Sequence, residues 1–202
     1  MSHLAMLWGI LALVFYVLHD IIGGMNYPGY DRMSQAVSDL SAIDAPSYQI
    51  ASSYSQIYGI FSCLCCGFLF VLAYDLNKTF KWGIYLFCLM NFVSAIGYSL
   101  FPLTSGGYDG SFQSFMHVYV VTILVVLLSI VSLILIAVGS FRSNRKTLGI
   151  LAIAAFVAMF FGAIGTNVFP KEVFGVFERF STYSAVVFTA VLGIYSSRFY
   201  IE

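Results

Sequence analysis

The sequence has few charged residues, which excludes an ordinary soluble domain. Asp, Glu, Lys and Arg make up 9% of its 202 residues, whereas a soluble domain has about 25%. Hydrophobic residues make up 60%, and the mean hydropathy is +0.92. A soluble core of this size could not bury so much apolar surface, so we infer that lipid is the solvent. The formal net charge of zero gives no reason to expect a nucleic-acid partner.

Cysteine and histidine are also scarce, which limits the chemistry. The four cysteines lie inside apolar runs, so no disulfide framework is expected and packing is their favoured role. The main expectation is that no cofactor is bound, because no phosphate loop, dinucleotide fingerprint, nucleophile elbow or HExxH motif is present. One alternative stays open: His19, His117 and one carboxylate could bind zinc and activate water.

Proline is scarce as well, and three of the four prolines end copies of one short pattern. The pattern is Ile-Gly, three residues, an aromatic residue and Pro, and it occupies residues 22–28, 96–102 and 164–170. Proline cannot donate the hydrogen bond that continues a helix, so each copy predicts a helix end. Each copy closes an apolar run and precedes a polar segment. This recurrence predicts three helical hairpins related by a pseudo-threefold repeat.

Six apolar runs are long enough to cross a bilayer, which takes about 20 residues. They cover residues 4–22, 56–74, 82–101, 116–138, 148–168 and 182–200. We therefore expect an all-α polytopic membrane protein, with one transmembrane domain over residues 1–202 and hairpins at about 4–74, 82–138 and 148–200. The first run has no small-residue cleavage site, which predicts a retained helix rather than a signal peptide.

The cationic side chains predict the orientation. Six of them share one predicted side: Lys78, Lys81, Arg142, Arg145, Lys146 and Arg198. Three lie on the other side: Arg32, Lys171 and Arg179. Short cytoplasmic loops are enriched in Lys and Arg, so both termini are expected in the cytoplasm of a multi-pass cell-membrane protein.

The first predicted outer loop, residues 23–55, is the longest connection. Within it, Asp31, Ser34 and Ser38 would share one face of a helix. Met33, Val37 and Leu40 would share another face. This spacing predicts a short helix that lies at the membrane interface or folds back over the bundle.

Ionisable groups in or beside membrane helices are costly and often mark functional sites. All the candidates fall on the predicted outer side, so we expect them to converge on one polar pocket. Asp39 and His117 are the acid–base candidates, and Glu178 is a supporting acid. Arg32 or Arg179 would hold an anion, because a guanidinium pairs well with phosphate or carboxylate. The remaining candidate ligand contacts are His19, Asp20, Tyr30, Ser34 and Ser38.

Each candidate also has a purely structural interpretation. Asp20 could form an ion pair with Arg179 or Arg32, and Asp39 could cap a helix. His117 could be a packing residue, and Glu178 could simply favour the start of its helix. These alternatives remain open from the sequence alone.

Three functions are compatible with this pattern. The first is a protein that binds or modifies a lipid headgroup or small amphiphile by acid–base chemistry, with membrane lipid as its partner. The second is a small-molecule transporter, which needs polar residues along the whole path through the bilayer. The third is a structural protein that binds a partner. The predicted inner half has few polar residues, which favours a one-sided pocket over a transport path.

The first outer loop also resembles a known family. The resemblance rests on residues 27–30 (Tyr-Pro-Gly-Tyr), Ser34, residues 37–40 (Val-Ser-Asp-Leu) and residues 45–46 (Ala-Pro). These residues resemble an uncharacterised prokaryotic six-helix membrane family, a domain of unknown function called the "nine-nine-eight" family. The resemblance implies a six-helix fold over nearly the whole chain, with the first outer loop as the site. His117 and residues 178–179 resemble its later polar positions, and Ser41 departs from its usual glycine.

Overall fold

The computed structural model describes residues 1–104 and 107–199, and this part of the chain contains helices and no β-strand. Six helices are long and apolar enough to cross a membrane. They are α1 (Ser2–Met25), α2 (Tyr48–Leu72), α3 (Lys78–Leu100), α4 (Phe112–Arg142), α5 (Lys146–Val168) and α6 (Phe174–Tyr195). The expected all-α, multi-pass architecture is therefore confirmed.

The three copies of the proline pattern end α1, α3 and α5, as the sequence predicts. The amide of Phe101 donates to the Gly97 carbonyl at 3.0 Å, and the amide of Phe169 donates to the Gly165 carbonyl at 3.1 Å. In both copies proline follows at once, so no further helical hydrogen bond can form. The larger claim, that three hairpins superimpose as a repeat, stays a prediction.

The helices form a ring in which each one packs against its neighbours in the chain, and α6 closes the ring against α1. The short 3-10 turn Ser196–Arg198, which follows α6, contacts α1. Arg145 donates to the Phe199 carbonyl beside it. Both ends of the described chain therefore lie at one end of the bundle. We call the opposite end, which carries residues 26–47, the loop end.

Close backbone contact holds α3 against α4. A Cβ atom added to Gly139 would lie 2.5 Å from the Cα atom of Phe80, and one added to Gly83 would lie 2.7 Å from the Ile136 amide nitrogen. Small residues at such positions let membrane helices approach closely, and dispersion then stabilises the pair. Phe80 and Ile136 are fully buried beside this contact.

The sixth helix begins earlier than the sequence predicts. The predicted start is residue 182, but α6 begins at Phe174, after a 3-10 turn over Lys171–Val173. The Phe177 ring stacks on Phe169 at 4.6 Å between centroids and leaves no room for a side chain at Gly165. This contact anchors about two extra turns, so residues 178–179 lie inside the helix rather than at its start. The fourth helix also starts earlier, at residue 112 rather than 116.

The interfacial helix expected over residues 31–40 is reduced to one 3-10 turn, Ser38–Ser41. Of the three residues expected to share an apolar face, Val37 and Leu40 are buried, whereas Met33 is exposed. The physical reason is the use of the backbone carbonyl groups of this segment. Several of them accept hydrogen bonds from α6 and from a tyrosine, so they are not available to an α-helix.

We predict that Gly139→Ala destabilises the bundle, because its new methyl group would overlap the backbone of α3. Overpacking of this kind costs about 1–3 kcal/mol of unfolding free energy. Gly67→Ala is the matched control, since nothing lies within 4 Å of a Cβ at Gly67. Thermal unfolding in detergent should show a lower Tm for Gly139→Ala only. Equal Tm values for the two variants would contradict the close contact.

Candidate functional site

An ion pair between α1 and α6 lies at the centre of the loop end. Arg179 Nε donates to Asp20 Oδ2 at 3.1 Å, and Arg179 Nη2 donates to Asp20 Oδ1 at 2.8 Å. The side chains of Arg179 and Asp20 are 16% and 7% exposed. Tyr183, one turn further along α6, donates its hydroxyl to Asp20 Oδ2 at 3.0 Å. Of the interpretations that the sequence leaves open for Asp20, the structure shows the ion pair with Arg179.

The other donors of Arg179 hold the loop. Its Nη1 donates to the backbone carbonyls of Arg32, Gln35 and Gly175 at 2.8, 3.1 and 2.9 Å, and its Nη2 also donates to the Tyr30 hydroxyl at 2.9 Å. A guanidinium has five N–H donors, and every nitrogen here has at least one acceptor. Arg179 therefore joins α1, α6 and the loop, and it has no donor left over for a ligand.

Gly175 brings the loop against the first turn of α6. Its amide donates to the Met33 carbonyl at 2.8 Å. A Cβ atom at this position would overlap the carbonyl oxygens of Gln35 and Arg32. Only glycine allows this approach, which places the loop backbone within reach of Arg179.

Two carboxylates bind amides of the same loop segment. Glu178 Oε2 accepts from the Val37 amide at 3.1 Å, and Asp39 Oδ2 accepts from the Ala36 amide at 3.0 Å. Burial raises the pKa of Asp39 above its ordinary value of 3.8, although the Ala36 amide and the positive charge of Arg179 oppose this shift. Both acids thus stabilise the loop conformation, and their acid–base roles stay predictions.

Tyr30 connects the loop to the ion pair. Its hydroxyl donates to the Ala36 carbonyl at 2.6 Å, and its ring lies 5.9 Å from the guanidinium carbon of Arg179. Burial raises the pKa of Tyr30 to about 12. The phenol therefore stays neutral at physiological pH and keeps its proton for this hydrogen bond.

Arg32 differs from Arg179 because most of its donors are free in the described part of the chain. Its Nη2 donates to the Asp20 carbonyl at 3.1 Å, and the residue is otherwise exposed. The backbone of Arg32 is fixed by the bond from Arg179, so its side chain starts from a defined position.

A lateral groove of about 730 Å³ runs along α5 and α6 from this network. Its polar end is formed by Asp20, Arg32, Arg179 and Tyr183. The rest of its wall is almost entirely apolar, and it is formed by Met33, Leu151, Ala154, Ala155, Ala158, Val176, Phe180, Ser184, Val187, Phe188 and Val191. The groove is therefore charged at one end and apolar along its length.

The other predicted site residues lie outside this network. His19 is 3% exposed, and neither of its ring nitrogens has a hydrogen-bond partner. Ser34 donates to the Asp31 carboxylate at 2.7 Å, whereas Ser38 is exposed.

His117 makes its contacts with the end of α3. It lies in a π-helical segment of α4, Met116–Val121. Its Nδ1 contacts the Phe101 carbonyl, and its ring lies 4.6 Å from the ring of Tyr98. It shares no contact with Asp20 or Arg179 in the part of the chain that is described, so its catalytic role stays a prediction. Within residues 1–104 and 107–199, no three His, Cys, Asp or Glu side chains are grouped to hold a metal ion, which adds no support to the zinc alternative.

Tyr183, Gly175 and the groove were not predicted from the sequence. Tyr183 is four residues after Arg179, so helical spacing alone places both on one face. The groove-lining residues of α5, at positions 151, 154, 155 and 158, also have helical spacing, and three are alanines. Their small size was visible, but the open space beside them depends on α6.

The fold defines a six-helix, multi-pass membrane protein with a charged network at its loop end. Residues 10–195 match a family model described as "Protein of unknown function (DUF998)". The chain belongs to this family, as the resemblance of its first loop implies. No curated protein and no solved structure matches the chain.

We predict that Asp20→Ala and Arg179→Ala each destabilise the protein strongly, because each leaves a buried charge without its partner. The cost expected for breaking such a pair is about 3 kcal/mol. The double variant should cost less than the sum of the two, since no unpaired charge remains. Chemical unfolding in detergent measures these differences. Asp75→Ala removes an exposed carboxylate and serves as the control. If the unfolding free energy lost by the double variant equals the sum of the two single losses, the result would argue against the ion pair.

Asp39 generates a prediction about pH. Because burial raises its pKa, the folded protein holds this proton more tightly than the unfolded chain does. The resulting stabilisation is present below about pH 3.8, and it is lost as the pH rises through the pKa that Asp39 has in the folded protein. The Tm of Asp39→Asn should therefore match that of the wild type near pH 3 and exceed it near pH 7. A difference in Tm that is the same at both pH values would contradict this effect.

Proposed function

We propose that the protein binds a lipid or similar amphiphile in the groove between α5 and α6. The polar part of the ligand lies at the loop end, and its apolar part lies along the two helices. The observation that carries the proposal is the chemistry of the groove wall, which is charged at one end and apolar elsewhere. A water-soluble substrate would make no favourable contacts with so long an apolar wall.

The dimensions of the groove support this ligand class. Its volume of about 730 Å³ falls within the range of about 300–1,000 Å³ that is usual for ligand sites. The groove follows α6 from Arg179 to Val191, a distance of roughly 18 Å at 1.5 Å per residue. One leaflet of a bilayer has a hydrocarbon depth of roughly 15 Å. An acyl chain from one leaflet would therefore fit along the groove.

The groove is accessible from the side. Phe180 and Val187 on α6 and Leu151 on α5 are exposed large apolar residues. They would face lipid in a bilayer, so a chain could enter laterally without crossing water. With the orientation predicted from the cationic residues, the loop end lies in the extracytoplasmic leaflet of the cell membrane.

Transport has less support than binding. The buried polar residues between α2, α3 and α6 satisfy one another: Ser62 donates to Asn91 Oδ1 at 2.7 Å, and Thr189 lies 3.4 Å from the same oxygen. Asn91 Nδ2 donates to the Phe87 carbonyl at 3.0 Å. This cluster stabilises helix packing and gives no continuous polar path. Chemical modification of the ligand by Asp39, Glu178 or His117 stays a prediction.

We predict that Ala158→Phe fills the groove and reduces the bound lipid. Native mass spectrometry of protein released from mild detergent counts the lipids that each variant retains. Ala158→Phe should lose at least about half of the retained lipid, because a bulky ring replaces a methyl group in the wall.

Val157→Phe is the matched control for this experiment. Val157 is adjacent on α5, is exposed, and does not line the groove. It should retain lipid like the wild type. Equal retention by the two variants, at equal Tm, would refute the proposal.

A further inference from the structure

We infer that the ligand of this groove is an anionic lipid and that Arg32 selects its headgroup. The inference rests on the proposed function, because it concerns the ligand of the same groove. It adds the sign of the charge and the residue that recognises it.

The first step is the charge at the polar end of the groove. Three charged side chains lie there, those of Asp20, Arg32 and Arg179. Asp20 and Arg179 neutralise each other in a bidentate pair. Arg32 forms no salt bridge in the described part of the chain, so there it is the groove-lining cation without an ion-pair partner.

The second step is the number of free donors. Every nitrogen of Arg179 is hydrogen-bonded, and the Tyr183 hydroxyl is donated to Asp20. Ser184, further along the wall, donates its hydroxyl to the Ser181 carbonyl at 2.7 Å. Within the described residues, Arg32 uses one of its five N–H groups, for the Asp20 carbonyl. The remaining four suit the oxygens of a phosphate or carboxylate, which a guanidinium can bind in a bidentate manner.

The third step is the position of Arg32. Arg179 binds its carbonyl, and Gly175 binds the carbonyl of the next residue, Met33. The backbone is thus fixed at the edge of the groove before a ligand arrives, which reduces the entropy lost on binding. Arg179 acts here as a positioning residue, and Arg32 makes the contact.

The same geometry disfavours a zwitterionic headgroup. A phosphocholine would bring its own cation close to Arg32 and Arg179. Among the groove-lining residues Asp20 is the carboxylate that could attract this cation, but its charge is already paired with Arg179. A headgroup with a net negative charge meets Arg32 without this repulsion.

The test uses the full-length protein in detergent with an equimolar mixture of phosphatidylglycerol and phosphatidylcholine that have the same acyl chains. Native mass spectrometry measures the ratio of the two bound lipids. We expect the wild type to prefer phosphatidylglycerol about fivefold. This is the effect on relative affinity expected of one partly exposed charge-assisted hydrogen bond. Arg32→Ala should bring the ratio close to one while the total bound lipid stays similar. Arg32→Lys keeps the charge but loses the fork of donors, so its ratio should be intermediate.

Lys171→Ala is the control, because Lys171 is an exposed cation just before α6 that does not line the groove. Its preference should equal that of the wild type. Equal loss of preference in Arg32→Ala and Lys171→Ala would overturn the inference, since general surface charge would then explain it. A wild type without preference, in which Ala158→Phe still lowers total lipid, would overturn the inference and leave the groove proposal standing. No effect of Ala158→Phe on total lipid would refute the proposed function itself.

Discussion

A carboxylate inside an apolar helix bundle needs a partner, and this need determines the structure of the loop end. Asp20 lies near the end of the first membrane helix and is nearly buried. An unpaired charge there would cost several kcal/mol. Arg179 of the last helix supplies the compensating charge and closes the helix ring at that point. Its remaining donors then fix the loop backbone, so one ion pair determines both the ring closure and the position of the loop.

The ionisable residues of this end therefore divide into two groups. Asp20, Asp39, Glu178 and Arg179 bind other parts of the protein, and their hydrogen bonds replace those that an α-helix would have made in the loop. Arg32 is carried by the loop that these residues hold, and it faces the groove. The polar network thus forms and supports one end of the groove. This division explains why a pattern of charged residues alone did not indicate the groove.

The sequence predicts the number of membrane helices and three of their ends, because length, hydropathy and proline act locally. It also offers the Asp20–Arg179 pair as an alternative, since few charges are available to choose from. The early start of α6 was not predicted, because it depends on the Phe177 ring packing against Gly165 of another helix. The loop conformation at residues 31–40 was missed for the same reason: its carbonyls bind Arg179 and Gly175, which are distant in sequence. The groove depends on the distance between α5 and α6, which no periodicity reveals.

The separation of 159 residues between Asp20 and Arg179 has a consequence for biogenesis. The ribosome completes the first helix long before the sixth, so Asp20 must enter the membrane without its partner. During that interval the carboxylate is either protonated or held near the headgroups, and Arg179 is not yet present to fix the backbone of the first loop. Residues 26–47 can reach their final conformation only when the last helix inserts. Assembly of this bundle therefore finishes at its first loop, which is synthesised early but ordered last.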